Sequence, residues 1–155
     1  MKKLLIILGA IFLIVIILVA VGIGFVAVKG SALDKQSKAF VDKNVPLIFA
    51  TWDDQALWSR ASPVFMQATP KDKLDSFFTS FSHKFGKMQA YQGSEGQTYM
   101  NDRVLSSHNG EVITAVYTAR LIFDAGPANV KVTLIKHGDE WQIEGFNINS
   151  DVLLK

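Results

Sequence analysis

Residues 111–124 read Glu-Val-Ile-Thr-Ala-Val-Tyr-Thr-Ala-Arg-Leu-Ile-Phe-Asp. Ile113, Ala115, Tyr117, Ala119, Leu121 and Phe123 occupy every second position, the period of a strand with one buried face. Just before this strand, Asn109-Gly110 supplies the positive φ that a tight hairpin turn needs. Further back, 87–92 and 97–107 read as strand segments, with Gly93 and Gly96 breaking or bulging them. Forward of it, residues 124–129 turn the chain, and Val130, Val132 and Leu134 alternate in a further strand. His137-Gly138-Asp139 makes the next turn, and Trp141 and Ile143 share one face of the last strand. Gly145 shifts the phase, because Phe146 and Ile148 follow out of step with Trp141.

Upstream the period changes from two to that of a helix. Leu74, Phe77, Phe78, Phe81 and Phe85 mark one helix face, and Gly86 ends the helix. Thr69-Pro70-Lys71-Asp72 opens it, with Thr69 as N-cap and Pro70 at the first helical position. Over 37–52, Val41, Val45, Ile48 and Trp52 recur at helical spacing beside Phe40 and Leu47, and Ser31 or Asp34 supplies the cap. Pro46 is expected to kink this helix or end it early. Asp53 or Asp54 then caps a short helix carrying Leu57, Trp58 and Ala61, which stops near Ser62-Pro63. Helices followed by an antiparallel meander define an α+β class, a curved sheet wrapped around about three helices.

The N-terminal part is of another kind. From Leu4 to Val28 there are 25 residues without a charge, Asn, Gln, Ser, Thr or Pro. As a helix they would extend roughly 37 Å, enough for a ~30 Å hydrocarbon core. Small-residue motifs at Ala20-Val21-Gly22 and Gly30-Ser31-Ala32 would suit cleavage, but the run exceeds the ~7–15 residues of a signal peptide core and favours an uncut anchor. The expected organisation is a single transmembrane helix within 1–30 and an extracytoplasmic domain over 31–155. Lys2 and Lys3 favour a cytoplasmic N-terminus, although Lys29, Lys35, Lys38 and Lys43 lie just beyond the run. The expected location is the bacterial inner membrane, with the domain on the periplasmic side. Gly9, Ala20, Gly24 and Ala27 fall along one stripe with Leu13 and Ile16, a small-residue groove suited to close packing against a membrane complex or a second copy.

Lys2 and Lys3 account for the whole formal charge of +2, leaving 14 basic and 14 acidic residues after Val28. That balance argues against a nucleic-acid partner. The absence of Cys excludes disulfides, thiol catalysis and a lipid-modified Cys.

Several stretches together carry a resemblance: Trp52 and Trp58, Phe85-Gly86-Lys87, Tyr91-Gln92-Gly93, Tyr117-Thr118-Ala119-Arg120-Leu121, and Trp141-Gln142-Ile143-Glu144-Gly145-Phe146-Asn147-Ile148. Over about residues 35–150 the chain resembles cystatin-like members of the nuclear transport factor 2-like superfamily, in particular small bacterial exported domains of unknown function. The resemblance implies a cone-shaped fold and leaves function open, since its members include enzymes, binders and interaction modules.

Chemistry-bearing residues are sparse. His83 falls on the polar side of its helix, and His108 and His137 flank turns, so all three read as solvated. No His-x-x-x-His spacing suits zinc, and no Gly-x-Ser-x-Gly elbow frames a serine. Gly93-Ser-Glu-Gly96 is too short for a phosphate loop, and Asp53-Asp54 reads as a helix cap. Tyr117, Asp124 and Glu144 could meet at a cone mouth in an isomerase-like site. No metal and no cofactor is expected. The reading that follows is a non-catalytic, membrane-tethered accessory or assembly subunit. A small-ligand module lined by Trp52, Trp58, Tyr91 and Tyr117 is the first alternative, and an isomerase-like enzyme the second. A partly polar interior cavity would favour the alternatives, and a filled interior with an uncovered apolar sheet face would favour docking.

Overall fold

A computed structural model describes residues 30–101 and 112–154, Asn101 by its backbone alone. The chain divides into two units, 1–33 and 34–155. Along the chain, α1 (helical over 30–50) is followed by α2 (Asp54–Trp58), α3 (Pro63–Ala68) and α4 (Lys71–Phe85). The strands β1 (Met88–Asn101), β2 (Val112–Phe123), β3 (Gly126–His137) and β4 (Glu140–Asn149) come next, then a 3-10 turn at Asp151–Leu154. The strands form one antiparallel sheet in the order β1-β2-β3-β4.

The α+β class holds, but the expected architecture of a transmembrane helix followed by a three-helix cone is corrected. Among the described residues no helix is long and apolar enough to cross a membrane. Among the described residues four helices accompany the sheet, where about three were expected. The run Leu4–Val28, with Gly9, Ala20, Gly24 and Ala27, lies outside the described residues, as do His108 and Asn109-Gly110.

On α1, Val41, Val45, Ile48 and Phe49 are buried at helical spacing. Pro46 does not end the helix. It removes one intrahelical bond, and the full burial of Ile48 and Phe49 outweighs that loss. Neither Ser31 nor Asp34 caps it, since both lie inside the helical stretch. The Asp34 carboxylate instead accepts from the Thr98 backbone N–H on β1 at 2.7 Å. At its end, Trp52 takes the left-handed conformation (φ 52°) and the Asp53 N–H donates to the Ile48 carbonyl at 2.8 Å, a Schellman closure. Asp53 then caps α2, its carboxylate accepting from the Ala56 N–H at 3.1 Å.

Ser62-Pro63 opens a helix where a stop was expected. The Ser62 hydroxyl accepts from the Phe65 N–H at 3.2 Å, and Pro63 fits the first turn of α3. Thr69 therefore closes α3 and does not cap α4, whose N-cap Pro70 makes no side-chain bond. On α4, Leu74, Phe78 and Phe85 are buried. Phe77 is 36% exposed and stacks on half-buried Phe81 at 3.9 Å between centroids, so those two flank the buried face.

The expected break in β1 is a bulge. Residues 88–101 form one strand, with register shifts between Met88 and Ala90 and between Tyr91 and Ser94. Gly96 stays in register opposite Tyr117. A Cβ there would lie 2.0 Å from the Val116 carbonyl oxygen, so the close approach of β2 admits only glycine. The turns after β2 and β3 are two residues each, since Phe123 pairs with Gly126 and His137 with Glu140. The first is tighter than the sequence suggests, and Pro127 lies within β3. Thr133 pairs with Gly145 and Leu134 with Ile143, so Glu144 is the extra residue of the phase shift expected at Gly145. Ala115, Tyr117, Ala119, Leu121, Phe123, Val130, Val132, Leu134 and Ile143 make the buried face.

One joint locks the layers. Gly86 (φ 74°) leads from α4 into β1, and its carbonyl accepts from the Trp52 indole N–H at 2.8 Å. Asp124 sits against it, its carboxylate accepting from the Lys87 N–H at 2.7 Å and the Gln89 amide at 2.6 Å. Backbone bonds run from Asp124 N–H to Lys87 and from Ala125 N–H to Phe85, both 3.0 Å. A Cβ on Gly86 would meet the Asp124 carboxylate at 2.7 Å.

Candidate functional site

Among the described residues, the four aromatic residues proposed to line a cavity share no common groove. Phe49 occupies the centre, with ring centroids 5.1 Å from Trp52, 5.6 Å from Phe123, 5.6 Å from Phe146 and 6.4 Å from Phe78. Trp52 is part of that packing, 5.2 Å from Phe123 and 6.1 Å from Phe85. Tyr117 is 1% exposed. Its hydroxyl donates to the Asp34 carbonyl at 3.1 Å and lies 2.9 Å from the Ser37 Oγ, which in turn is 3.1 Å from the Thr98 Oγ1. This is a satisfied buried network that ties α1 to β1 and β2. Trp58 is half-buried on α2. Trp52 also borders a surface groove of about 610 Å³ with Asp54, Lys71, Asp75 and Phe78; Trp58, Tyr91 and Tyr117 do not line it.

Tyr91 belongs to a cluster that the sequence reading did not assemble. Its hydroxyl donates to Asp42 Oδ1 at 2.6 Å, the Ser94 hydroxyl donates to the same oxygen at 2.6 Å, and the Lys38 ammonium lies 2.5 Å from Oδ2. Burial pushes the Asp42 carboxyl up, but hydrogen bonds from Lys38, Ser94 and Tyr91 outweigh it and hold the group below its ordinary value. Burial, reinforced by the Asp42 charge, pushes the Tyr91 phenol well above its ordinary value. A carboxylate held ionised and a phenol held neutral are both displaced from neutral-pH proton transfer, so the cluster reads as a clasp between α1 and the β1 bulge. Lys38 is a local i,i+4 partner, but the two hydroxyl partners of Asp42 stand 49 and 52 residues away.

Lys71 bridges Asp54 at 2.7 Å and Asp75 at 3.2 Å. Hydrogen bonding with Asp75 and then Lys71 holds the Asp54 carboxyl below its ordinary value. Exposed pairs of this kind contribute little to stability. Tyr117, Asp124 and Glu144 do not assemble a site: Asp124 lies seven residues along β2 and its turn from Tyr117, roughly 23 Å at strand rise, and is engaged at the Gly86 joint. His83 and His137 are exposed. Among the described residues no three His, Asp or Glu side chains converge as metal ligands.

The outer face of the sheet is different in character. Tyr99, Thr114, Ile135 and Gln142 pair in one row across all four strands, and Gln97, Val116, Thr133 and Gly145 make the next. Tyr99 is 43% exposed, and Thr114, Val116, Thr133 and Ile135 are half-buried.

Compared with protein-family models, curated proteins and solved structures, the chain finds no match in any of the three.

Proposed function

We propose that this protein is a non-catalytic accessory or assembly subunit of a membrane protein complex, docking through its α+β domain. The observation that carries the reading is the outer face of the sheet, with exposed Tyr99 and half-buried Val116 and Ile135 on two adjacent rows, opposite an inner face filled by side chains. Side chains fill the inner face among the described residues, and a semi-apolar face is what a partner buries. The apolar run Leu4–Val28 supports attachment to a bacterial inner membrane, and Lys2 and Lys3 support a cytoplasmic N-terminus with the domain in the periplasm.

The test is paired. Val116→Glu and Tyr99→Glu should each release a stoichiometric partner retained by the unmodified chain during purification in mild detergent, with an unchanged melting curve. Retention of that partner by both variants would refute docking through this face. External protease applied to spheroplasts should digest the domain; a protected domain would reverse the topology.

A further inference from the structure

Both edges of the sheet are already engaged. On β1 the Thr98 N–H is held by the Asp34 carboxylate at 2.7 Å. On β4 the chain after α2 takes both backbone groups of Ile143: its N–H donates to the Arg60 carbonyl at 2.7 Å, and its carbonyl accepts from the Ser62 N–H at 2.8 Å. A strand added at either edge would have to displace these bonds, so the open approach to the sheet is its outer face.

Beyond the Val116 row that face turns polar. Glu95, Thr118, Lys131 and Asn147 pair across the four strands in the next row, and Arg120 pairs with Asn129 in the one after. All six are exposed. The side chains of Glu95, Arg120 and Lys131 make no ion pair or hydrogen bond among the described residues. Four strands at ~4.8 Å spacing and four rows at about 6.8 Å span roughly 500 Å². Two such faces together bury about 1,000 Å², the least that a specific interface needs and the size of a weak, reversible one.

We infer that a second copy of the chain occupies this face, an inference that rests on the reading above that the face is an interface. A two-fold axis between the two sheets, along the seam of β2 and β3, sets β2 over β3 of the other copy and β1 over its β4. Each row then meets itself reversed. Val116 lies over Thr133 and Thr114 over Ile135, twice each, so the semi-apolar rows cover one another. Arg120 lies over Asn129 and Lys131 over Thr118, so no charge stands directly over a like one. Glu95 lies over Asn147, one strand from Lys131 of the other copy and within reach of its long side chain, and the symmetry makes that pair twice. One operation thus complements both the apolar rows and the charges, which is what an isologous contact requires.

The chain has no Cys, so a single introduced thiol reports its own neighbours. With the full chain in mild detergent, a short bismaleimide should join two copies through Val116→Cys, which sits beside the axis. It should leave Lys73→Cys, exposed on α4, unjoined. Charge reversal reads the same pairing separately from any contact elsewhere in the chain. Introduced beside Val116→Cys, Glu95→Lys and Lys131→Glu should each weaken the association about tenfold, because two pairs turn repulsive together. An equimolar mixture of the two variants should regain it, since both contacts of the mixed dimer again pair unlike charges. Joining of Val116→Cys no greater than that of Lys73→Cys, or a mixture no stronger than either variant alone, overturns the inference. If it falls while Val116→Glu and Tyr99→Glu still release a different partner, the face is an interface and only its occupant is wrong. If those variants release nothing either, both readings fall.

Discussion

Replacing Gly96 with Ala tests how closely β1 and β2 approach. The new Cβ would sit 2.0 Å from the Val116 oxygen, 2.7 Å from the Tyr117 Cα and 2.8 Å from the Tyr117 Cδ1. Ordinary contact begins near 3.4 Å, so two of these three clashes are with backbone atoms that no side-chain rotation moves. Relief requires β1 to shift by more than about 1 Å, which breaks two or three ladder bonds at ~1 kcal/mol each and unseats the Tyr117 ring. A loss of roughly 3 kcal/mol follows, a fall in melting temperature of about 10–15 °C for a domain of this size. The control is Gly138→Ala, where φ is 58° but nothing lies within 4 Å, so only the left-handed backbone cost of about 1–2 kcal/mol applies. Thermal unfolding of both variants, followed by near-ultraviolet circular dichroism, ranks them. Should Gly96→Ala prove no worse than Gly138→Ala, the close approach of the strands is wrong.

Trp52→Ala should cost about 3–5 kcal/mol in urea denaturation, because it empties the aromatic cluster and orphans the Gly86 carbonyl; a loss below about 1 kcal/mol would show the ring to be peripheral. On α4, Phe78→Ala should cost about 3–5 kcal/mol and Phe77→Ala markedly less, since only Phe78 is buried; equal losses would restore the single five-residue face. The Asp42 clasp has a sign. Its folded-state pKa lies below the ordinary 3.8, so its stabilisation is present above that value and is lost as pH falls through the folded pKa. Asp42→Asn should therefore flatten the acid limb of the stability curve below about pH 4, and an unchanged limb would mean the clasp is not formed.

The sheet was the most legible part of the chain, because a strand's inward positions are set by alternation and Gly145 announced its own phase shift. Ile113, the first of the alternating set, is only half-buried, since strand ends extend beyond the helices' cover. Local reading failed where two signals competed. Ser62-Pro63 both ends one helix and begins another, and a six-residue helix that buries Phe65 alone has no periodicity to display. Phe77 and Phe81 satisfy helical spacing but sit on the rim of the stripe, and width of cover is a tertiary property. The Asp42 clasp was invisible because it is assembled from α1 and a strand far along the chain, and nothing in either segment alone names the other.

The joint at Gly86 bears on how the domain opens. Trp52 at the end of α1, Gly86-Lys87 between α4 and β1, and Asp124 at the end of β2 hold one another through four hydrogen bonds and an approach too tight for a methyl group. Three chain segments that ordinarily fray independently thus share one fastening. The α4–β1 junction and the end of β2 therefore open together, and the amides of Lys87, Asp124 and Ala125, although they sit at turns, should exchange their hydrogens with solvent more slowly than other turn amides.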